Sequence, residues 1–123
     1  MALSVGLIGA GPWAQMVHAP VIAAGPETRL AGIWARREDA AGAIAKRFAV
    51  PTFATPEALF EACDAVAFAV PPAVQAELAT RAAHAGKGLL LEKPIAGDLA
   101  SAEALAAAVG EAGVASMVVL SWR

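Results

Sequence analysis

Gly9-Ala10-Gly11-Pro12-Trp13-Ala14 follows a short apolar run, Leu3–Ile8, in which Val5 and Ile8 are β-branched. A G-x-G-x-x-A pattern between a strand and a helix suits a bound diphosphate for three separate reasons. Gly9 lets the chain reverse tightly, Gly11 lets backbone approach the phosphates, and the small Ala14 lets helix pack on strand. The helix that follows aims free N–H groups and the positive end of its dipole at the anion. Pro12 has no N–H to give, so the N–H of Trp13 is the expected main phosphate donor. Some ~20 residues past such a loop, an acid would accept bonds from a ribose 2′-hydroxyl and repel a 2′-phosphate. Here Trp34-Ala35-Arg36-Arg37 stands at that point, with no acid. Arg36 and Arg37 can offer forked, charge-assisted bonds to a phosphate. Ala35, Arg36 and Arg37 therefore form the expected ribose side of the site, with NADP preferred over NAD. The other reading, one arginine stacked on adenine while NAD binds, stays open.

These residues need elements to hold them. The apolar patterning predicts strands at Leu3–Ile8, Arg29–Trp34, Thr52-Phe53, Ala65–Val70, Leu89–Leu91 and Ser116–Ser121. Between them it predicts helices from Pro12, over Glu38–Ala49, from Pro56 to Ala62, over Ala73–Ala85 and over Ser101–Ala112. In the first helix Ala14, Val17 and Val21 fall at helical spacing, and Pro20 is expected to kink or end it. Thr55-Pro56-Glu57 reads as N-cap, first-turn proline and first-turn acid. The continuous apolar run Ala65–Val70 suits a parallel strand buried on both faces. Alternating strands and helices with right-handed crossovers give an α/β fold, a doubly wound parallel (Rossmann) sheet of order 3-2-1-4-5-6. Its ligand crevice opens between strands one and four, at Gly9–Trp13 and at Val70-Pro71-Pro72.

Three features together resemble the N-terminal domain of the Gfo/Idh/MocA family of NAD(P)-dependent oxidoreductases. They are GAGPWA after strand one, the AVPP end of strand four, and Glu92-Lys93-Pro94 after strand five. The resemblance runs through the closing LSWR. It implies that Lys93 lies beside the nicotinamide and the reacting oxygen of the substrate, as the catalytic residue. A lysine ordinarily titrates at ~10.4, so one that exchanges protons near neutrality needs a positive neighbour such as an oxidised nicotinamide ring. It further implies that Glu92 holds Lys93 or a ribose hydroxyl, and that Pro94 is a cis proline. Val70, Pro71 and Pro72 would line the nicotinamide side with backbone. Gln75 stands where members often carry histidine, and His18 where many carry one in the first helix, with a structural role. Trp13 and Trp34 either flank the nucleotide or pack in the core.

Family members are usually longer, with a second α/β domain that supplies most substrate contacts. The chain stops at Arg123, about where strand six ends, so the expectation is the nucleotide-binding half of a larger enzyme, with that second domain outside the chain. A genuinely short product is the alternative. The implied reaction is hydride transfer at an alcohol or carbonyl carbon of a sugar, cyclitol or similar small molecule. A non-catalytic NADP-binding sensor or regulator of the same fold is the rival reading, and a bare α/β interaction domain a more distant one.

Composition narrows the classes. At 123 residues, 59% hydrophobic and net charge −2, the chain can support one domain with a real core and lacks the basic face of a nucleic-acid binder. Ala2 through Pro26 carries no Asp, Glu, Lys or Arg, but turns and polar residues break it well short of the ~18–20 apolar residues of a spanning helix. No basic residue precedes the first apolar run, so no signal peptide is expected. Cys63, the only cysteine, is expected to be a small buried hydrophobe and rules out an internal disulfide. Nothing has metal-ligand spacing. The expectation is a cytoplasmic protein with a small-molecule substrate, no nucleic-acid or membrane partner, and homo-oligomers when full length.

Overall fold

A computed structural model describes residues 2–120. The chain runs β1 (Leu3–Ile8), a wide π-helical turn (Ala14–His18) continuing into α1 (Ala19–Ala24), β2 (Thr28–Trp34), α2 (Glu38–Phe48), α3 (Pro56–Glu61), β3 (Ala65–Phe68), α4 (Pro72–His84), β4 (Gly88–Glu92), α5 (Leu99–Ala112) and β5 (Ser116–Val119). All strand pairs are parallel, in the order β2-β1-β3-β4-β5. This is the expected doubly wound α/β sheet with one strand fewer. The expected third strand survives as a single parallel bridge, Thr52 to Ile33, on the outer side of β2. Its place in the order is as predicted. Its brevity follows from Pro51, which has no N–H to add to a ladder, and from Pro56, which already begins α3.

The sheet separates two apolar layers. Leu7, Leu30, Ile33 and Ala67 face Ile22 of α1 and Ile44 of α2. Ile8, Val66, Phe68, Leu89 and Leu91 face Leu59, Leu78 and Leu105 of α3, α4 and α5. Leu30 and Ile33 share a face although they lie three positions apart, which simple alternation forbids. The cause is a register shift between Val5/Leu30 and Gly6/Gly32, where Ala31 is the extra residue. The bulge turns Ile33 inward and sets Trp34 opposite Ile8 at the mouth of the sheet.

A second irregularity lies beside Pro20, which was expected to kink or end the first helix. Pro20 does not end the first helix, which continues to Ala24. Instead the turn before it widens, and the Ala19 N–H reaches back to the Ala14 carbonyl. A proline ring clashes with the carbonyl four residues earlier, and a wider turn carries that carbonyl aside. The extra residue per turn also rotates the buried face. Ala14, His18, Ala19 and Ile22 are buried, whereas Val21, placed inward by regular spacing, is 66% exposed. Thr55 has the capping role expected of it, whereas α5 starts at Leu99, two residues before the expected Ser101, on a cap not singled out in the sequence. Thr55 caps α3 by accepting from the Ala58 N–H at 3.1 Å, and Asp98 caps α5 by accepting from the Ser101 N–H at 2.7 Å. Ala85, at the end of α4, turns outward. Cys63 is buried, and burial pushes its thiol upward. The last residue of the expected sixth strand, Ser121, and the Trp122 and Arg123 of the closing motif lie outside the described residues. Among the described residues, no helix is long and apolar enough to cross a membrane.

Candidate functional site

The site is built where β1, β2 and β3 end together. Gly9 donates its N–H to the Trp34 carbonyl at 2.9 Å, and Ala69 donates to Ile8 at 2.8 Å, so the three strand ends are tied. Gly9 has φ +117°, and a Cβ there would stand 2.3 Å from the Ala69 carbonyl oxygen. No other residue type fits that reversal. Gly11 is different in kind. A Cβ on Gly11 would meet nothing within 4 Å. Its lack of a side chain serves no contact inside the protein; it leaves a cradle that a methyl group would fill. The first helical pair of the following segment is Gln15 N–H to Gly11 carbonyl at 3.0 Å, which makes Pro12 the first residue of the turn. The Trp13 and Ala14 N–H groups precede that pair and have no intrahelical acceptor. Ala14 is fully buried beneath the turn, and the Gln15 amide braces it by donating to the Ala10 carbonyl at 2.9 Å. Open space over Gly11, with unpaired donors beside it, fits a dinucleotide diphosphate.

A cleft of about 420 Å³ spreads from this turn over the mouth of the sheet. Gly9, Ala10 and Gly11 form its floor, Trp34, Ala35, Arg36, Arg37 and Ala40 one wall, and Ala69, Val70, Pro71 and Val74 the other. A second limb of about 450 Å³ shares Ala69, Val70 and Pro71 and ends at Trp13, Glu92 and Lys93. The two limbs make one path from the arginines on β2, past the glycine turn, to the lysine after β4. Arg37 donates to Asp39 at 3.0 Å, and that guanidinium holds the Asp39 carboxyl below its usual range. Arg36 has no ion-pair partner among the described residues.

The Lys93 end is held by hydrogen bonds. Glu92 Oε1 accepts from the Trp13 indole N–H at 2.7 Å and pairs with His18 Nε2 at 2.8 Å. A carboxylate only accepts, so Nε2 of His18 carries the ring proton. Gln75 is fully buried in α4. Its carbonyl accepts the Glu92 N–H at 2.9 Å, and its amide donates to the Glu92 and Ile95 carbonyls at 2.8 and 3.2 Å. The Lys93–Pro94 peptide is cis, as the resemblance implies. Lys93 itself is exposed at the end of its limb.

The structure thus brings Gly9, Gly11, Ala35, Arg36, Arg37, Val70, Pro71, Trp13, Glu92 and Lys93 onto one path, with Pro12 exposed at the start of the turn and Ala14 buried beneath it. It does not put Gln75 or Pro72 on that path. Gln75 spends its whole amide on the backbone around Lys93, and Pro72 opens α4 behind Pro71. His18 has the structural role expected of it, and Trp13 turns its indole N–H to Glu92. Ala40, Ala69 and Val74 line the cleft without having been singled out. Val74 lies one turn beyond Pro71, and its spacing could have placed it there. The Trp13–Glu92 pair spans 79 residues of sequence and leaves no local trace. Among the described residues, no group of three or more His, Cys, Asp or Glu side chains could hold a metal ion.

Comparison with known proteins places this geometry. The model of an oxidoreductase family with an NAD-binding Rossmann fold, GFO_IDH_MocA, matches residues 3–120. The chain is 36% identical over 117 residues to dTDP-3,4-didehydro-2,6-dideoxy-alpha-D-glucose 3-reductase of Actinomadura kijaniata, covering 94% of this chain and 35% of that protein. The crystal structure of KijD10, a 3-ketoreductase from Actinomadura kijaniata in complex with NADP and TDP-benzene, superposes with a TM-score of 0.87 at 35% identity, over 96% of this chain and 37% of the other. UDP-N-acetylglucosamine 3-dehydrogenase GnnA from Acidithiobacillus ferrooxidans gives 0.86 at 29% identity, over 94% and 38%. The chain spans little more than a third of the length of these relatives.

Proposed function

Since the chain belongs to the Gfo/Idh/MocA family of oxidoreductases, we propose that it is the NADP-binding domain of an enzyme that oxidises or reduces one carbon of a sugar, and specifically the C3 position of a nucleotide-linked sugar. The observation that carries the proposal is the single path from Arg36 to Lys93 across the glycine turn. Two of the relatives act at position 3 of nucleotide sugars by name, and one was crystallised with NADP; these support the substrate class and the cofactor.

When bound, the nicotinamide supplies or takes up the hydride. The chain's residues do the rest. The backbone N–H groups of Trp13 and Ala14 bind the diphosphate over Gly11. Arg36, not engaged by Asp39, takes the 2′-phosphate in a forked pair, while Arg37 remains with its carboxylate. Val70 and Pro71 give the nicotinamide an apolar wall that offers no side-chain hydrogen bond. Lys93 Nζ gives a proton to the carbonyl oxygen during reduction and takes it from the hydroxyl during oxidation. In this reading the substrate is held chiefly by parts of a longer protein, the partners are that small molecule and further copies of the full-length protein, and the compartment is the cytoplasm.

The test is a comparison of dissociation constants for NADPH and NADH on the chain itself. Tighter NADPH binding, reduced toward the NADH value by Arg36→Ala, is the expected result. Tighter NADH binding by the unaltered chain overturns the choice of cofactor, and no binding of either overturns the reading.

A further inference from the structure

The Lys93 loop is fastened to the rest of the fold from two sides, and both fastenings meet at Glu92. Its backbone is clamped by Gln75 from α4, through both its N–H and its carbonyl. Its side chain is clamped by Trp13 and His18 from the opposite layer, through the single oxygen Oε1. These two donors come from the helical turns that begin at the phosphate cradle. Trp13 supplies both an N–H at the cradle and an indole N–H on Glu92. His18 is brought to Glu92 by the wide π-turn, which buries it where regular helical spacing would have turned the face elsewhere. The Trp13 and His18 rings also meet edge to face, centroids 6.4 Å apart and planes at 79°, so each restrains the other.

We propose that Trp13 and His18 are positioning residues for Lys93, acting through Glu92 Oε1, and that the phosphate cradle and the Lys93 loop consequently move as one unit. The inference deepens the proposed function and rests on it for the claim that a dinucleotide tightens the unit. The clamp itself does not depend on that reading. Gln75 fixes the backbone on both sides of Lys93, at Glu92 and at Ile95; the second clamp holds the Glu92 side chain and keeps the strand end from turning between those points. A dinucleotide that orders the first helical turn by its phosphates orders Glu92 through the indole, and with it the residue that follows.

The experiment is hydrogen exchange, followed by NMR, at the Glu92, Lys93 and Ile95 amides of the 123-residue chain, with and without NADP⁺. Trp13→Phe keeps an aromatic ring and removes only the donor, at a half-exposed position. In the free protein it should speed exchange at these three amides about 2- to 12-fold, the range that losing one hydrogen bond carries, with amides in α5 unchanged. Glu92→Gln retains a carbonyl oxygen for both donors and should exchange like the unaltered chain, which separates the clamp from charge. NADP⁺ should slow exchange at the three amides in the unaltered chain and leave them fast in Trp13→Phe, although phosphate-turn amides are protected in both. Equal exchange at Glu92, Lys93 and Ile95 in Trp13→Phe and the unaltered chain, free or bound, overturns the inference. Loss of the clamp in the free variant, with no NADP⁺ effect in either protein, would keep the positioning role and overturn the coupling together with the proposed cofactor.

Discussion

Gly9 and Gly11 sit two residues apart in one motif and lack a side chain for opposite reasons. Gly9 is required by the protein: its φ is positive and the Ala69 carbonyl occupies the space of a Cβ. Gly11 faces open space, so no atom of the protein requires it to lack a side chain. The two substitutions should therefore separate. Gly9→Ala should destabilise the fold by about 1–3 kcal/mol, the range of a residue forced into a disfavoured backbone conformation, as read by thermal or denaturant unfolding. Gly11→Val should leave stability nearly unchanged and weaken NADPH binding by about tenfold or more, ~1.4 kcal/mol. Matching stability losses in both would mean that Gly11 serves the fold, not a ligand. Lys93 gives the corresponding test of chemistry. In the full-length protein, Lys93→Met should abolish turnover and leave NADPH affinity within about twofold, since the lysine lies at the far end of the path from the phosphates. Retained turnover would remove Lys93 from the reaction. The tight turn at Gly9 was legible in the sequence because it depends on immediate neighbours; the role expected of Lys93 comes only from the family resemblance. The tasks of Gln75 and of the Trp13 indole were not legible, because their partners are brought near only by the sheet.

At the scale of elements, most strands and helices could be read from apolar runs and caps, because parallel strands buried on both faces are continuously apolar. Two features escaped that reading, and both insert one residue into a regular repeat. The bulge at Ala31 changes which face of β2 is buried, and the wide turn at Ala14–His18 changes which face of the first helix is buried. Neither disturbs composition, so periodicity placed Val21 inward when it is exposed. The short third strand was overread for a related reason: two β-forming residues between prolines pair once and stop. The Thr55 cap is local chemistry that did carry through, whereas the Asp98 cap went unread; Asp98 allows a pH test. Bonds from the Ser101 N–H and hydroxyl hold its carboxyl below the usual aspartate range. Because the folded value is depressed, this stabilisation is fully present above the unfolded value of ~3.9 and is lost as pH falls through the lower, folded value. The Tm advantage of the unaltered chain over Asp98→Asn should shrink as pH falls from about 6 to below that range. A gap independent of pH would show that the cap acts without its charge.

At the scale of the molecule, the doubly wound sheet does one thing that no single element can. Its reversal of strand order leaves β1 and β3 side by side with their following helices on opposite faces, so a crevice must open above them. β2 carries the arginines to one end of that crevice and β4 carries Lys93 to the other, with the phosphate cradle at the centre. The bulge in β2 and the clamps on Glu92 adjust the two ends. The central claim is that a dinucleotide spans this path with its redox ring at Lys93, and a crystal structure of the chain with NADP⁺ tests it most directly. The diphosphate is expected over Gly11 within hydrogen-bonding distance of the Trp13 N–H, the 2′-phosphate at Arg36, and the nicotinamide between Val70–Pro71 and the Lys93 amine. A dinucleotide bound elsewhere, or bound in the cleft with its nicotinamide turned away from Lys93 into solvent, would contradict it.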